Sequence, residues 1–370
     1  MGGHLNAYTS REQTAYYAKV LEKDVDKAVD ILSDILQNSK LDVSAIERER
    51  EVILREQEEV NKQMEEVVFD HLHAVAYPES NLGRTILGPE GNIRSLNRGH
   101  LEAYIKSNYI GPRMVLSAAG AVDHDALVKA AESAFAGIPG KSTIAASLMM
   151  GEERARFTGA EVRMRDDTMD TAHVVIAVEG ASWTSPDYLP LLVAQAIVGS
   201  WNRGLLAAGG DGFGSRLAQI VSKYGLAQSF QSFNTAYTDT GMFGIYCVSD
   251  HTYDLDDLVY HIQQEWVRLC LNVTEGEVER AKLHLKSALL LSLDSTTAIC
   301  EDIGRQVLIY GRRMGLPEIH AQIDAIDAKM VKRVASKYLY DRCPAVVGIG
   351  AIGSLPDYNR IRASTHWLRN

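Results

Sequence analysis

The sequence lacks the features that would commit it to several large classes of protein. Its four cysteines, Cys247, Cys270, Cys300 and Cys343, are scattered with no CxxC spacing, which argues against a disulfide framework or a zinc ribbon and favours a reducing compartment. Unbroken apolar runs such as 174–178 and 288–291 fall far short of the roughly 20 residues a membrane span needs. The GGHLNAYT that follows Met1 is neither a secretory signal nor a basic amphipathic presequence. Positive charge is in deficit, with a formal net charge of −10, which speaks against nucleic acid and anionic membranes as main partners and for basic ones. Neither HExxH nor HxxEH occurs, nor a GxSxG elbow or Ser/His/Asp order, so no zinc-protease helix and no serine nucleophile can be read. GGDGFGSR at 209–216 lacks the Lys-Ser/Thr of a phosphate-binding loop and reads as a flexible loop.

What remains is a globular chain of 370 residues, 46% hydrophobic and 23% charged, long enough for two domains with separate cores. HLNAYT and TAYYAKVL, separated by SREQ, read as two short strands, and 24–37 as an amphipathic helix. Residues 83–91 are loop-like, 97–107 helical, 113–122 (RMVLSAAGAV) a buried strand with a tight glycine turn, and 124–135 helical. The small, polar stretch 137–151 reads as a linker. The pattern places a first unit at 1–150, a linker at 151–161 and a second unit at 162–370.

The second unit repeats the first. GLAQSFQSFNTAYTDTGMFGIYCV with the helix 254–269 parallels GGHLNAYTSREQTAYYAKVL with the helix 24–37, and AVVGIGAI parallels MVLSAAGAV. Tyr8 and Tyr237, Ser44 and Thr274, and Val115 and Val346 are 229, 230 and 231 positions apart, and a nearly constant offset over three elements in one order signals an internal repeat. The fold class is therefore α/β (α+β), two homologous αβ units. The second copy carries a strand (HVVIAVEGA) and a helix (187–198) ahead of its hairpin, whereas the first has only Met1 and Gly2 there. The first unit is expected to lack its opening strand and helix, leaving a core face open to water.

The stretch 44–70 contains no proline, and Ser44 with Glu47 forms a capping box, so one long helix is expected to run through it. At about 100° per residue, Glu49, Glu56, Glu66 and Asp70 would then share one broad face. A solvated face with Arg48, Arg50 and Arg55 pairing along the helix explains this simply. Against that, position 56 shifted by 230 falls on Lys286, so the acidic face belongs to the first copy alone. His71 and His73 flank Leu72 but point about 160° apart on a helix, which favours structural histidines over a metal pair.

GGHLNAYTSREQTAYYAKVL, IEREREVILREQEEV, EEVVFDHLHAVAY, LGRTILGPEGNI, FNTAYTDTGMFGIY, EDIGRQVLIYGRR and LPDYNRIRASTHWLRN together resemble the insulinase/pitrilysin family of zinc proteases, and within it the branch that processes mitochondrial presequences and supplies core proteins of respiratory complex III. The resemblance covers essentially the whole chain. It implies two homologous α/β units enclosing a chamber, with a zinc held by two histidines of HxxEH and a glutamate of a later helix. On this sequence Glu56 resembles the third zinc ligand and Glu49 the acid that orients the site from its second shell. Glu66 and Asp70 resemble the acids that grip a presequence arginine before the cut. Residues 5–8 resemble the edge strand on which an extended substrate is laid, with Asn6 and Ala7 central to it.

The same resemblance implies a β-type subunit that pairs with a homologous α-type subunit, cleaves basic N-terminal presequences of imported precursors on the matrix side of the inner membrane, and also serves as a core subunit beside the other complex III subunits. The alternative it leaves open is a non-catalytic structural core subunit. The chain departs from the family by lacking HxxEH, hence both histidine ligands and the catalytic base. It is expected to be an N-terminally incomplete form of an active subunit or a short form kept for structure, inactive alone and without zinc as it stands.

Overall fold

The computed structural model describes residues 2–140, 154–204, 214–250 and 255–367. Most of the expected linker, from 141 on, and residues 209–213 of the glycine-rich loop lie outside the described residues. The chain opens with strands β1 (His4–Thr9) and β2 (Thr14–Lys19), followed by helices α1 (Val25–Gln37), α2 (Val43–Val60), α3 (Met64–Ala76), α4 (Glu90–Ser95), α5 (Arg98–Asn108) and α6 (His124–Ala134). Then come β3 (Glu161–Arg165), β4 (Ala172–Glu179), α7 (Tyr188–Val198), β5 (Ser200–Asn202), α8 (Arg216–Tyr224), β6 (Ser229–Ala236) and β7 (Gly241–Ser249). The remainder is α9 (Leu255–Leu271), α10 (Glu275–Ser292), α11 (Thr296–Tyr310), α12 (Leu316–Asp324), α13 (Ala328–Leu339), β8 (Ala345–Gly350) and α14 (Tyr358–Ala363).

These elements form two compact units that interleave along the chain: Met1–Glu59, Thr85–Glu152 and Leu291–Met314 make one, and Val60–Arg84, Glu153–Leu290 and Gly315–Asn370 the other. The bounds of the sequence repeat and of the compact units therefore differ. Helix α3, from the first repeat copy, belongs to the second unit, while α11, from the second copy, belongs to the first.

The second unit is built on a six-stranded sheet in the order β3-β8-β4-β7-β6-β5, in which β3 runs parallel to β8 and the other neighbours are antiparallel. Alternation along β4 sends Val174, Ile176 and Val178 into a core with residues of α7, α8, α9 and α13, while Val175 and Ala177 join Val347 and Ile349 on the opposite face under α3. Both faces are covered, which is why β4 and β8 read as unbroken apolar runs. Helix α3 contributes Val68, Leu72 and Ala76, none of them exposed. Burial of side chains the size of Val68 and Leu72 stabilises by about 1.5–3 kcal/mol each. The capping box expected at Thr274 forms: its hydroxyl accepts from the Glu277 N–H at 3.3 Å, and the Glu277 carboxylate accepts from the Thr274 N–H at 3.0 Å.

In the first unit, β1 and β2 pair as an antiparallel hairpin, with Asn6 opposite Tyr17 and Ala7 opposite Tyr16. Helix α1 packs on α6, and the Gln37 amide donates to the Ala134 carbonyl at 2.8 Å. The Arg50 guanidinium ties α2 to α4 by donating to the Arg94 and Leu96 carbonyls. Among the described residues of this unit, the buried apolar side chains are Ala28, Val29, Leu54, Ile93 and Ile110. Both extended apolar core clusters are made of residues of the other unit.

Three expectations are corrected. Residues 113–122 are not a buried strand: Gly111–Arg113 is a 3-10 turn, no strand follows it, and Val115 and Leu116 are exposed. Their counterpart β8 is hydrogen-bonded between β3 and β4; 113–122 has no such neighbours among the described residues, and an isolated apolar segment gains nothing from extending. The stretch 44–70 is not one helix, because α2 ends at Val60 and α3 starts at Met64 after an extended Gln63. Asn61 stands at the break, and asparagine side chains compete with the helical ladder for backbone groups. Finally, α2 starts at Val43, which places Ser44 inside its first turn, and Glu47 pairs with Arg50.

Candidate functional site

The break after Val60 divides the acidic set, since helical phase carries only within one helix. Glu49 and Glu56 stay seven residues apart on α2, where both are exposed, in the first unit. Glu66 and Asp70 lie one turn apart on α3, the former exposed and the latter half-buried, in the second unit. The single face of four acids is thus replaced by two pairs. The α3 pair has the spacing that lets two carboxylates share one guanidinium.

Helix α3 is held on its sheet by polar bonds as well as by Val68 and Leu72. The His73 ring is buried, with Nδ1 2.6 Å from the Phe69 carbonyl oxygen and Nε2 2.5 Å from the Tyr237 hydroxyl. A carbonyl can only accept, so Nδ1 carries the proton, and Nε2 shares a hydrogen bond with the Tyr237 hydroxyl. One turn on, the Tyr77 hydroxyl donates to the Gly241 carbonyl at 2.8 Å, and burial pushes this phenol above its ordinary pKa. His73 is therefore a structural histidine. The sequence signal that could have found Tyr237 is the repeat itself, which pairs it with Tyr8.

On the hairpin, Asn6 and Ala7 are exposed on β1, and the Asn6 carboxamide oxygen accepts from the Ala7 N–H at 2.8 Å. Strand β1 has β2 on one side and no further strand among the described residues, so its other edge is open to an added strand. The Tyr8 hydroxyl donates to the Glu301 carboxylate on α11 at 2.7 Å, fixing the strand at its exit.

Among the described residues the donor set does not make a zinc site. A catalytic zinc takes three protein ligands, and among the described residues no group of three or more His, Cys, Asp or Glu side chains is arranged to hold a metal ion. Of the ligand triad that the resemblance implies, only the glutamate has a counterpart in this sequence, Glu56. No described helix is long and apolar enough to cross a membrane.

Residues 1–90 match Insulinase (Peptidase family M16), and residues 95–285 match the Peptidase M16 inactive domain. The chain belongs to the insulinase family. It is 56% identical to the mitochondrial-processing peptidase subunit beta of Blastocladiella emersonii over 369 residues, covering 100% of this chain and 78% of that protein. To the Homo sapiens subunit beta it is 50% identical over 374 residues, covering 100% of this chain and 74% of the relative. Among solved structures, a chain of complex III2 from Candida albicans with Inz-5 bound superposes with a TM-score of 0.86 at 28% identity, over 99% of this chain and 86% of that one. An insulinase-family chain with an α/β fold is what the sequence motifs implied.

Proposed function

We propose that this chain works in mitochondria as the β-type subunit of a processing peptidase, binding basic N-terminal presequences of imported precursors on the matrix side of the inner membrane together with a homologous α-type subunit. The observation that carries this reading is the 50–56% identity to processing-peptidase β subunits across 98–100% of the chain. The acid pair Glu66 and Asp70 would hold a presequence arginine, and the open edge of β1 at Asn6 and Ala7 would take the extended peptide as an added strand. By the resemblance, Glu56 would be a zinc ligand and Glu49 the acid that orients it; among the described residues no group of three or more His, Cys, Asp or Glu side chains is placed to hold a metal ion. The repeat supports reading a peptidase-like unit (1–150), a linker (151–161) and an inactive homologous unit (162–370).

The test is purification of the native protein from mitochondria. An α-type homologue in equal amount, with cleavage of presequence peptides by the pair, is expected; a native assembly that contains no α-type homologue and neither binds nor cleaves presequences would overturn the proposal. A second role, as a core subunit among the other subunits of complex III, is favoured by the match to a complex III2 chain. Recovery within intact complex III tests it.

A further inference from the structure

The face of α3 that carries the acid pair also carries its deepest polar anchor. Taking Glu66 as origin and about 100° per residue, Asp70 lies about 40° to one side and His73 about 20° to the other. The three therefore form one stripe along the helix. On the far side of His73 the buried arc begins, with Leu72 and Ala76 fully enclosed against the sheet. His73 thus stands where the apolar seat of the helix meets its acidic edge. Both ring nitrogens are engaged, by Phe69 on the same helix and by Tyr237, which follows β6.

Apolar packing alone leaves a helix some freedom to roll, because dispersion and burial are not directional. A short hydrogen bond at the rim of the seat is directional. Rolling α3 by even part of the 40° between Glu66 and Asp70 would swing the two carboxylates off a common approach line, and bidentate recognition of a planar guanidinium tolerates little misalignment. We propose that Tyr237, through its bond to His73, is a positioning residue that fixes the rotation of α3 and so sets the arginine selectivity of Glu66 and Asp70. This rests on the reading of Glu66 and Asp70 as arginine-binding acids.

The experiment uses the native assembly and two fluorescent presequence peptides that differ only in having arginine or norleucine near the cut, with Kd read by anisotropy. Tyr237→Phe keeps the ring and removes the hydroxyl. It is expected to weaken binding of the arginine peptide about fivefold and leave the norleucine peptide unchanged, so that the selectivity ratio falls. Equal weakening of both peptides, or no change in either, overturns the positioning role, because a merely structural bond would not move the ratio. Should Tyr237→Phe fail to fold, as judged by circular dichroism, His73→Gln gives the same readout while retaining a polar group opposite the hydroxyl. The double variant Glu66→Gln/Asp70→Asn tests the underlying reading separately: if it keeps the arginine preference, the acid pair is not the binding site, whatever Tyr237→Phe does.

Discussion

The Tyr8 hydroxyl bonds to Glu301 at 2.7 Å in one unit, and the Tyr237 hydroxyl bonds to His73 at 2.5 Å in the other. Tyr237 follows Tyr8 by 229 positions and Glu301 follows His73 by 228, so the two bonds are copies of one interaction. In each, the tyrosine of a hairpin is tied to a helix that comes from the other repeat copy. Only the partner has changed, from imidazole to carboxylate.

Burial, followed by the Glu301 hydrogen bond and charge, raises the Tyr8 phenol from 10.0 to about 12. The neutral phenol is favoured in the folded protein, so this stabilisation is complete below pH 10 and is lost as pH rises through about 12. Hydrogen exchange at β1 is expected to accelerate across that window. In Tyr8→Phe the exchange should already be faster at neutral pH, by the about 1 kcal/mol worth of one hydrogen bond; identical exchange in both proteins would contradict the role of this bond.

The two units are expected to answer core truncation differently. Leu72→Ala empties a fully enclosed site and should cost about 2–5 kcal/mol. Leu116→Ala removes a side chain that is 42% exposed and should stay within about 0.5 kcal/mol. Urea unfolding of both variants checks this, and comparable losses would mean that 113–122 is packed after all.

Asp187 lies buried beneath Lys337 at 2.6 Å and Arg333 at 3.4 Å, with the Tyr338 hydroxyl donating to it at 3.3 Å. Desolvation pushes its pKa up, but Lys337, Arg333 and Tyr338 together outweigh it and hold the carboxyl below its ordinary value. A depressed carboxyl stabilises the fold above its unfolded pKa and loses that contribution as pH falls through the folded one. Asp187→Asn should therefore cost about 1.5–3 kcal/mol at neutral pH, with the gap from wild type closing below about pH 4. Thermal melts at pH 7 and pH 3 measure it; a constant gap would rule out the ionic contribution.

For the native protein purified from mitochondria, Glu56→Gln is expected to lower zinc content measured by elemental analysis, while far-ultraviolet circular dichroism stays unchanged. Undiminished zinc would remove Glu56 from the ligand set. Glu49→Gln, which removes the acid proposed to orient Glu56, should weaken zinc retention by about 10–100-fold.

Much of this protein was legible along the chain. The hairpins, the amphipathic helix 25–37, strand β4, helix α7 and the Thr274 capping box follow from periodicity, β-branched runs and cap chemistry that act over a few residues. The repeat was readable because both copies keep the same element order. The spacing of Glu66 and Asp70 survives because it lies within one helix.

Tertiary structure decided the rest, where the outcome depends on distant partners. Residues 113–122 have the composition of a strand, but a strand exists only through its neighbours, and β8 has them while this segment does not. The run 44–70 has the composition of a helix, but the seat that Val175, Ala177, Val347 and Ile349 offer to Val68 and Leu72 gives α3 a home in another unit than α2. The sequence by itself determined the family, the repeat and the local elements, since these rest on short-range chemistry. Only the tertiary structure determined which helix each sheet receives and that the four acids stand as two pairs, because burial and directional bonds between residues more than a hundred positions apart make that choice.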